Sequence, residues 1–581
     1  MIGLKSFGPG AVKVLDPSLK GYRNQFIRAV DSGIAPGLRH DQRAIFVRPD
    51  KVLDASAKTM RAGATMVLVF DGPTSIAAKR VPASLALIPV PKSHERQWEN
   101  PNELITEVVL KLIDPDREES QERVRLDTFR SLNLSSVSAG EGVSESRECT
   151  FLEALLGGKP ISVVPGLFWQ VALKVCAGDC EKLDTLLDRL LRDHVVWFSP
   201  YTGEVVSFHE AVRIFKTVQE HWQSNDCPSH CYGAQYWNHP SINATFSGKS
   251  GEVTFHETQE ETVAAAAQSN GKILSWAGRT DPSLEAVCRK RDIELVRIED
   301  GFLRSVGLGA GLARGAMLAV DDLGIYYDPS RPSRLEMLLR DYELSSDERA
   351  RGAGLIELIR TARVSKYNFG RSRSFDFPTG RNKVLVPGQV ADDAAIRKSR
   401  SATIDCANTP NVNHDLLRLA RERNPDAYLV FKPHPDVETG LRKGKVTREE
   451  ALRYADQVAV DANIIDLIDA VDEVETFSSL SGFETLLRGK KVVVHGAPFY
   501  AGWGLSEDLT ALDGRQRKRS LDELVYLALV KYARTIDPLT LLPCTPEFLV
   551  TRLMQQRNDR RHLVTTAIRR HASWLGRKIG L

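Results

Sequence analysis

Polar side chains that could do chemistry follow short apolar segments at four places in the C-terminal part of the chain. At the first of these places, Glu299 and Asp300 end the segment ELVRIED, and Arg304 comes four residues later. Two adjacent carboxylates with an arginine could bind a polar substrate, position a general base or form an internal ion pair. The residue types and their spacing leave all three roles open.

The second group lies in a loop after the apolar segment KVLVPG. Gln389, Asp392 and Asp393 stand in this loop. A carboxylate presented there could attack an electrophilic sugar carbon as a nucleophile. Aspartate is also a strongly preferred residue for capping the start of a helix. The spacing favours neither role over the other.

The third group follows the apolar segment AYLVF and contains Lys432, His434 and Pro435. Prolines on both sides restrict the histidine to extended backbone. A histidine held in this way could donate a hydrogen bond or a proton to a phosphate or another leaving group. We therefore predict a binding role for this segment.

The fourth group begins with Ser478 and Ser479 and precedes a predicted helix. Amide groups at the start of a helix can bind phosphate. Glu484, in the first part of that helix, could accept hydrogen bonds from ribose hydroxyls, although an acid at this position also stabilises a helix without any ligand. The four groups together could bind and activate a phosphorylated sugar.

Apolar strands alternate with amphipathic helices around these groups, and this pattern predicts an α/β fold. Two series, 255–380 and 383–550, each indicate a parallel sheet covered by helices on both faces. We expect a pair of Rossmann-like domains facing across a cleft. Because ligands bind at the carboxyl ends of parallel strands in such domains, all four polar groups should meet there.

The chain also repeats part of itself. The segment from Leu152, LEALLGGKPISVVPGLFW, aligns with FETLLRGKKVVVHGAPFY from Phe483, and the segment from Leu183 aligns with that from Leu521 at an offset of 338 residues. MVLVFDG, which ends at Gly72, is a weaker counterpart of ELVRIEDG. Residues 1–245 are therefore predicted to be a degenerate, abbreviated copy of the later module, with a structural or docking role.

Composition limits the protein classes. The 581 residues are 42% hydrophobic and 26% charged, which is typical of globular proteins with several domains. The net charge of +3 is too small for a nucleic-acid-binding surface over the whole molecule. The sequence predicts neither a membrane span nor a secretory signal, so we expect a cytoplasmic protein.

Cysteines allow two interpretations. The pairs Cys176/Cys180 and Cys227/Cys231, the second enclosing His230, could share a metal ion or remain thiols. Both spacings are one residue longer than the common C-x2-C motif, which favours thiols.

Six segments, in this order along the chain, resemble motifs of the KpsC-type capsular-polysaccharide transferases of Kdo (3-deoxy-manno-octulosonic acid). The segments are RIEDGFLRSVGLG, DDLGIYYD, SKYN, GQVADDA, KPHPD and FSSLSGFETLLRGKKVVVHGAPFYAGWGL. The resemblance covers about residues 270–545. It implies a GT-B-like fold and a CMP-activated sugar donor without a metal or other cofactor. Members of the family typically carry two transferase modules, whereas this chain has only one that is intact.

The resemblance also implies roles for individual residues. The family's Q-x-x-x-D-x-S loop falls on Gln389 and Asp393, so Asp393 is the implied nucleophile of a retaining double displacement. The closing serine of that loop is Ala395 in this chain. Further expectations are these: Glu299 and Asp300 near the sugar, His434 and Pro435 with the serine pair 478/479 around the CMP phosphate, Glu484 on the ribose, and Arg304 or Lys432 on the Kdo carboxylate.

The alternative to a transferase is a capsule assembly or export factor that binds CMP without turnover, and a third interpretation is transfer of another nonulosonic acid such as sialic acid. The implied acceptor is a glycolipid, either linked to a (lyso)phospholipid or ending in Kdo. Residues 555–581 carry seven basic side chains and an apolar stripe. This pattern predicts either an amphipathic helix in peripheral contact with an anionic inner membrane or a helix packed on the protein itself.

Overall fold

The structure of the chain is a computed structural model that divides into two compact units, residues 1–226 and 227–581. The residues that it describes are 12–14, 44–47, 65–70, 84–89, 167–176, 179–190, 195–202, 204–307, 314–368, 372–406, 408–438, 440 and 442–559.

The first unit contains one six-stranded sheet. Its strands, in spatial order, are β1 (Val12–Val14), β2 (Ala44–Val47), β3 (Thr65–Phe70), β4 (Ser84–Pro89), β5 (Val195–Phe198) and β6 (Val205–Val206). β1, β2 and β3 are parallel, and each later strand is antiparallel to its neighbour. The described helices of this unit are Leu167–Cys176, Cys180–Arg189 and Phe208–Ser224.

The second unit contains two sheets, and the first of them is mixed. Its strands are β7 (Ser229–Tyr232), β8 (Thr254–His256), β9 (Lys272–Trp276), β10 (Leu295–Asp300), β11 (Met317–Asp321) and, as the last strand of the chain, β18 (Ala533–Thr535). Their order is β18-β11-β10-β9-β7-β8, with β11 and β18 antiparallel to their neighbours and the others parallel. The helices of this half are His239–Phe246, Gln259–Ser269, Pro282–Arg291, Arg334–Asp341, Ser346–Ala362, Leu521–Tyr526 and Pro546–Asn558.

The other sheet of the second unit is entirely parallel. Its strands are β12 (Lys383–Pro387), β13 (Tyr428–Lys432), β14 (Gln457–Val458), β15 (Glu473–Thr476), β16 (Lys491–Val494) and β17 (Glu507–Asp508), in the order β14-β13-β12-β15-β16-β17. The helices of this half are Ala394–Arg397, Val412–Arg423, Pro435–Glu438, Arg448–Ala451, Ile464–Ala470 and Leu480–Leu486. Val384, Leu385 and Val386 are all inaccessible to solvent, as expected of a parallel strand covered on both faces.

These two halves confirm the predicted α/β fold with paired Rossmann-like domains, but their boundaries differ from the predicted 255–380 and 383–550. The first half begins earlier, because β7 pairs with β9 and so brings residues from 229 onward into its sheet. It also takes back the end of the chain, because Thr535 of β18 pairs with Met317 of β11. Residues assigned to the N-terminal module up to 245 therefore belong in part to the first half.

The internal repeat is visible in the strand topology. β1 to β5 have the same spatial order and the same relative directions as β7, β9, β10, β11 and β18. β3 and β10 lie in the two sequence segments, MVLVFDG and ELVRIEDG, that run into acid and glycine. β5 and β18 begin at Val195 and Ala533, which are separated by the predicted offset of 338 residues. This agreement supports an abbreviated copy at the N-terminus; its structural or docking role stays a prediction.

Gly352 and Gly354 provide a matched test of how closely the helix Ser346–Ala362 packs against the backbone at Asp522. Both lie in the helix Ser346–Ala362, but a Cβ at Gly352 would overlap the backbone of Asp522, whereas a Cβ at Gly354 would meet nothing within 4 Å. We expect Gly352→Ala to lower the free energy of unfolding by about 1 to 3 kcal/mol through overpacking. Gly354→Ala should raise it by about 0.5 to 1 kcal/mol, because alanine favours helix. Urea unfolding of both variants checks this, and equal effects at the two positions would contradict it.

Two predicted segments lie largely outside the described residues. The basic stripe in 555–581 is described only to residue 559, and the repeated segment that starts at Leu152 is described only from Leu167. Within the described part of the chain, none of the helices combines the length and apolar character required to cross a membrane.

Candidate active site

The second unit contains a cavity of about 680 Å³ between its two sheets. All eleven residues predicted from the sequence line it: Glu299, Asp300, Arg304, Gln389, Asp393, Lys432, His434, Pro435, Ser478, Ser479 and Glu484. They reach the cavity from the carboxyl ends of β10, β12, β13 and β15, or from the segment that follows each strand. β12, β13 and β15 are parallel strands of one sheet and present these ends at one edge, and β10 contributes its end from the other sheet, which explains why residues far apart in the sequence meet.

Asp393 has one of the two roles that the sequence left open, the helix cap. It is the N-cap of the helix Ala394–Arg397, and its Oδ1 accepts a hydrogen bond from the Ala395 backbone amide at 3.0 Å. Its Oδ2 accepts no hydrogen bond from a described residue. The backbone amide of residue 395 therefore orients the carboxylate without a serine side chain, and one oxygen remains available to a ligand.

The loop that carries Asp393 is held from both halves. Lys398, at the end of the short helix, forms an ion pair with the buried Asp328 of the first half at 3.1 Å. Oε1 of Gln389 accepts hydrogen bonds from the Thr476 hydroxyl at 3.1 Å and the Ser478 amide at 3.0 Å. Gln389 thus connects the ends of β12 and β15, which fixes the distance between the loop that carries Asp393 and the serine pair.

His434 is close to the Asp393 loop because Gly388 has no side chain. A Cβ at Gly388 would lie 3.2 Å from the backbone nitrogen of His434 and 3.2 Å from the Pro433 Cα. Burial and the positive charges of Lys432, Lys366 and Arg442 lower the pKa of His434 to about 3. Its Nδ1 accepts a hydrogen bond from the Asp436 amide at 3.2 Å. The imidazole is therefore neutral at pH 7 with its proton on Nε2, so it can donate a hydrogen bond but is a poor proton donor.

The serine pair and Glu484 make different contacts. Ser479 caps the helix Leu480–Leu486 through the Ser481 amide, whereas the Ser478 hydroxyl is buried and has no hydrogen-bond partner among the described residues. Glu484 Oε1 accepts a hydrogen bond from the Lys366 backbone amide at 2.9 Å, and burial raises the pKa of its carboxyl. Ser478 is thus the member of the pair whose hydroxyl a ligand could use.

Glu299 and Asp300 have different electrostatic environments although they are adjacent. Burial and the charge of Asp300 raise the pKa of Glu299 to about 8, and Asp393 adds to this increase. Asp300 Oδ2 instead accepts a hydrogen bond from Arg304 Nε at 2.6 Å, and Arg304 is 1% exposed. The sequence left three roles open for this group of residues. Asp300 and Arg304 have one of them, because they form an internal ion pair.

The ion pair between Asp300 and Arg304 changes which residue we expect to bind the sugar carboxylate. Arg304 was one of two predicted partners, but its guanidinium is already paired with Asp300. Lys432, the other, is buried and donates a long hydrogen bond of 3.4 Å to the Pro433 carbonyl; burial lowers its pKa. Arg304 is thus engaged within the protein, whereas a contact of Lys432 with the sugar carboxylate stays a prediction.

Sequence reasoning did not single out Lys366, the lysine of the SKYN segment. Burial alone would lower its pKa, but Tyr367, Tyr326 and Asp300 hold the pKa above its ordinary value, so the ammonium stays charged. Its Nζ lies 5.5 Å from the Tyr367 ring centroid and forms no ion pair with a described residue. Lys366 lines the cavity and is close enough to Glu299 and His434 to affect the pKa of each.

Buried polar atoms without partners are concentrated in this cavity. Among the described residues, cavity-lining atoms of this kind include Asn238 Oδ1, Asp300 Oδ1, the Tyr327 hydroxyl and the Ser478 hydroxyl. A buried polar atom that lacks a hydrogen bond is costly and therefore needs a partner. Their clustering indicates that the cavity is built to bind a polar ligand.

The described cysteines are free thiols: Cys176, Cys227, Cys231, Cys288, Cys406 and Cys544. Burial raises the pKa of Cys231 to about 12, which opposes the thiolate that a metal requires. Across the described ranges, His, Cys, Asp and Glu side chains form no group of three or more suited to a metal ion.

A family model described as "Capsule polysaccharide biosynthesis protein" matches residues 273–373 and 346–536. The capsule polysaccharide modification protein LipA of Neisseria meningitidis is 35% identical over 422 residues, which cover 70% of this chain and 58% of LipA. The lipopolysaccharide-processing protein LpsZ of Rhizobium meliloti is 43% identical over 251 residues, covering 42% of this chain and 55% of LpsZ. The chain thus spans less than two thirds of these curated relatives.

Two solved structures of Thermosulfurimonas dismutans KpsC are also similar. The structure titled beta Kdo 2,7 transferase is 32% identical and has a TM-score of 0.46; the match covers 57% of this chain and 100% of that one. For the structure titled beta Kdo 2,4 transferase the identity is 31% and the TM-score 0.48, with 56% and 98% covered.

The family match covers the strands and loops that build the cavity, from β9 to β18, and the curated relatives extend it over most of the chain. It also agrees with the family that the sequence motifs indicated. The chain belongs to the capsule polysaccharide biosynthesis protein family.

Proposed function

We propose that this chain is a retaining glycosyltransferase that moves Kdo from CMP-Kdo to a glycolipid acceptor during synthesis of a capsule linker. The observation that carries the proposal is that Asp393, His434 and Ser478, from three separate strand ends, line one cavity with buried unpartnered polar atoms. A nucleophile, a neutral hydrogen-bond donor and a free hydroxyl together suit a sugar linked to a phosphate.

The second half supplies the nucleotide side of this proposal. The Nε2 proton of His434 and the hydroxyl of Ser478 would donate hydrogen bonds to the CMP phosphate, and these bonds would strengthen as the phosphate takes up charge on departure. The second carboxylate oxygen of Glu484 would accept from a ribose hydroxyl. Gln389 acts as a positioning residue, because it holds the Ser478 amide and the Asp393 loop together.

The proposed reaction has two displacements. Asp393 Oδ2 attacks the anomeric carbon of Kdo, the bond from that carbon to the CMP phosphate breaks, and CMP leaves with the bonding electrons. An acceptor hydroxyl then attacks the same carbon, gives its proton to the ionised Glu299 carboxylate and displaces Asp393. Two inversions give retention of configuration.

Lys366 is the proposed partner of the sugar carboxylate, in place of Arg304 and Lys432. Its charged amine has no ion pair within the described part of the chain, and it lies near both Glu299 and His434. A sugar bound between the nucleophile loop and the phosphate site would bring its carboxylate within reach of this amine. The buried hydroxyl of Tyr327 could donate a second hydrogen bond to the same group.

Replacing Lys366 with methionine should therefore act selectively on donors that carry the carboxylate. A hydrogen bond between charged groups contributes about 1.5 to 3 kcal/mol, so the KM for CMP-Kdo should rise about 10- to 100-fold. The same substitution should have little effect with a donor whose carboxylate is replaced by a carboxamide. Steady-state kinetics with both donors measures this, and Lys290→Met, on the exposed helix Pro282–Arg291, is the matched control. An equal loss with both donors would contradict the assignment.

Metal independence, membrane contact and participation in a capsule assembly or export complex remain parts of the proposal.

Metal independence follows from the leaving group. A CMP donor leaves with a single phosphate, which needs less charge neutralisation than a diphosphate. Transfer rates should therefore be the same with EDTA as with Mg²⁺. A tenfold loss in EDTA that Mg²⁺ reverses would contradict this part alone.

Incubation of the full chain with CMP-Kdo and a Kdo-terminated or lysophospholipid-linked acceptor tests the activity itself. Released CMP and a product with the retained anomeric configuration, measured by NMR, are the expected results. CMP binding without any product would instead favour the non-catalytic assembly factor. Faster turnover of CMP-sialic acid than of CMP-Kdo would change the donor but not the residues.

A further inference from the structure

The segment that carries Lys366 connects the two halves of the second unit. Residues 365–368, which we call the SKYN turn, follow the helix Ser346–Ala362 of the first half and precede β12 of the second. Ser365, Lys366 and Tyr367 line the cavity. Asn368, the last residue of the turn, is 8% exposed and does not line it. A polar side chain that is buried in this way needs its hydrogen-bond partners within the protein.

Asn368 uses its whole side-chain amide to close the turn. Its Oδ1 accepts a hydrogen bond from the Ser365 backbone amide at 3.1 Å, and its Nδ2 donates to the Ser365 carbonyl at 2.8 Å. The Asn368 backbone amide donates to the Ser365 hydroxyl at 2.9 Å. Asn368 has a φ of +48°, a left-handed conformation that asparagine adopts more readily than most residues with a side chain. The turn therefore depends on asparagine both for its backbone conformation and for its hydrogen bonds.

The SKYN turn is also bonded to the loop at residues 304–307 of the first half. Nδ2 of Asn368 donates a second hydrogen bond to the Ser305 carbonyl at 3.1 Å. The carbonyls of Lys366 and Tyr367 accept three further hydrogen bonds, of 2.8 to 3.2 Å, from backbone amides of the loop. Side-chain and backbone bonds together attach the turn to the first half.

The backbone of Lys366 is held by the second half as well. Its amide donates to Glu484 Oε1 at 2.9 Å, while its carbonyl accepts from the loop of the first half. Because both peptide groups of Lys366 are fixed, the point from which its side chain enters the cavity is fixed too. A displacement of about 1 Å at a group that positions a substrate can cost about 10²-fold in rate. The placement of the Lys366 amine therefore depends on the turn that carries it.

We propose that Asn368 is a positioning residue for Lys366: it closes the SKYN turn, bonds it to Ser305 and so places the Lys366 amine for the carboxylate of the sugar donor. This inference rests on the proposed function, in which Lys366 binds that carboxylate. Asn368 lies outside the cavity lining, so its effect on the donor passes through Lys366.

A double-mutant cycle on the full chain tests this dependence. Asn368→Gly keeps a residue that adopts positive φ but removes the three side-chain hydrogen bonds. In the wild-type background it should raise the KM for CMP-Kdo about 3- to 30-fold, less than Lys366→Met does, with little change in kcat. In the Lys366→Met background it should raise KM no further. Equal effects in the two backgrounds overturn the proposal, because a merely structural role would not depend on the amine.

Two further variants control the cycle. Asn270 has the same left-handed conformation, with a φ of +52°, at the exposed end of the helix Gln259–Ser269, so Asn270→Gly should leave KM unchanged. Ser365→Ala removes only the bond from the Asn368 amide and serves if Asn368→Gly does not fold. Its smaller rise in KM should also vanish in the Lys366→Met background, and a rise that persists there overturns the proposal.

Hydrogen exchange measured by mass spectrometry reports on the attachment of the turn without requiring turnover. The backbone amides of residues 304–307 should exchange faster in Asn368→Gly than in the wild type, and at the wild-type rate in Lys366→Met and Asn270→Gly. Unchanged exchange in Asn368→Gly overturns the anchoring by Asn368. If the exchange differs as expected but the wild type releases no CMP from CMP-Kdo, the transferase function fails and the anchoring role of Asn368 stands.

Discussion

Replacing Asp393 with asparagine is expected to lower transfer by about three orders of magnitude or more, because the amide cannot form the covalent intermediate. The cap on the helix Ala394–Arg397 should survive, since the asparagine oxygen can still accept the hydrogen bond from the Ala395 amide. The fold and the affinity for CMP should therefore change little. Initial rates of CMP release, together with CMP titration, separate these effects.

Intact-protein mass spectrometry makes the same prediction sharper. The wild type incubated with CMP-Kdo and no acceptor should gain the mass of one Kdo residue, and Asp393→Asn should not. The control is Asp392→Asn, because Asp392 is the neighbouring acid but lies 3.4 Å from Arg442 in an ion pair. If the adduct persists in Asp393→Asn and disappears in Asp392→Asn, the nucleophile is Asp392 and the assignment to Asp393 is wrong.

Replacing Glu299 with glutamine should lower turnover by about 10²- to 10⁴-fold, the usual contribution of a general base. The pKa of Glu299 is raised to about 8, so the carboxyl is protonated below that pH and ionised above it. A base must be ionised to accept the acceptor's proton. The wild-type kcat/KM for the acceptor should therefore rise as pH approaches 8 and level off above it.

The pH profile distinguishes this role from a structural one. In Glu299→Gln the residual rate should not change with pH through this range, whereas Glu294→Gln, an exposed acid on the same segment, should keep the wild-type profile. A rise through pH 8 that persists in Glu299→Gln would assign the titration to another group. A stability loss measured by thermal unfolding, with the pH profile unchanged, would make Glu299 a structural residue.

The sequence predicted most of the site because the relevant residues lie at the carboxyl ends of strands or directly after them. In a parallel sheet every carboxyl end faces the same edge, so identifying apolar strands was enough to bring Asp393, His434 and Ser478 together, and the expected cleft between the two halves added Glu299 from the other sheet. The orientation of Asp393 was less predictable. Ala395 raised a doubt about that orientation, yet a backbone amide, which every residue but proline has, supplies the hydrogen bond.

The burial of charged side chains and the charges around them in the fold were beyond the sequence. The preference of Arg304 for Asp300 over a ligand depends on its complete burial, and the prominence of Lys366 depends on the charges that surround it in the folded protein. Both properties arise from desolvation and from distances that spacing along the chain does not contain. The segment 235–238 was assigned to the wrong domain for the same reason, because only the pairing of β7 with β9 brings it to the cavity.

By itself, then, the sequence determined the fold class, the family and the residues at each strand end, because these follow from periodicity and from short motifs. Tertiary structure alone decided which half contains residues 229–246 and 533–535, that the amine of Lys366 stays charged inside the cavity, and which carboxyl holds its proton near neutral pH. Strand order and burial set those outcomes, and both depend on pairing between segments up to hundreds of residues apart, such as Met317 and Thr535.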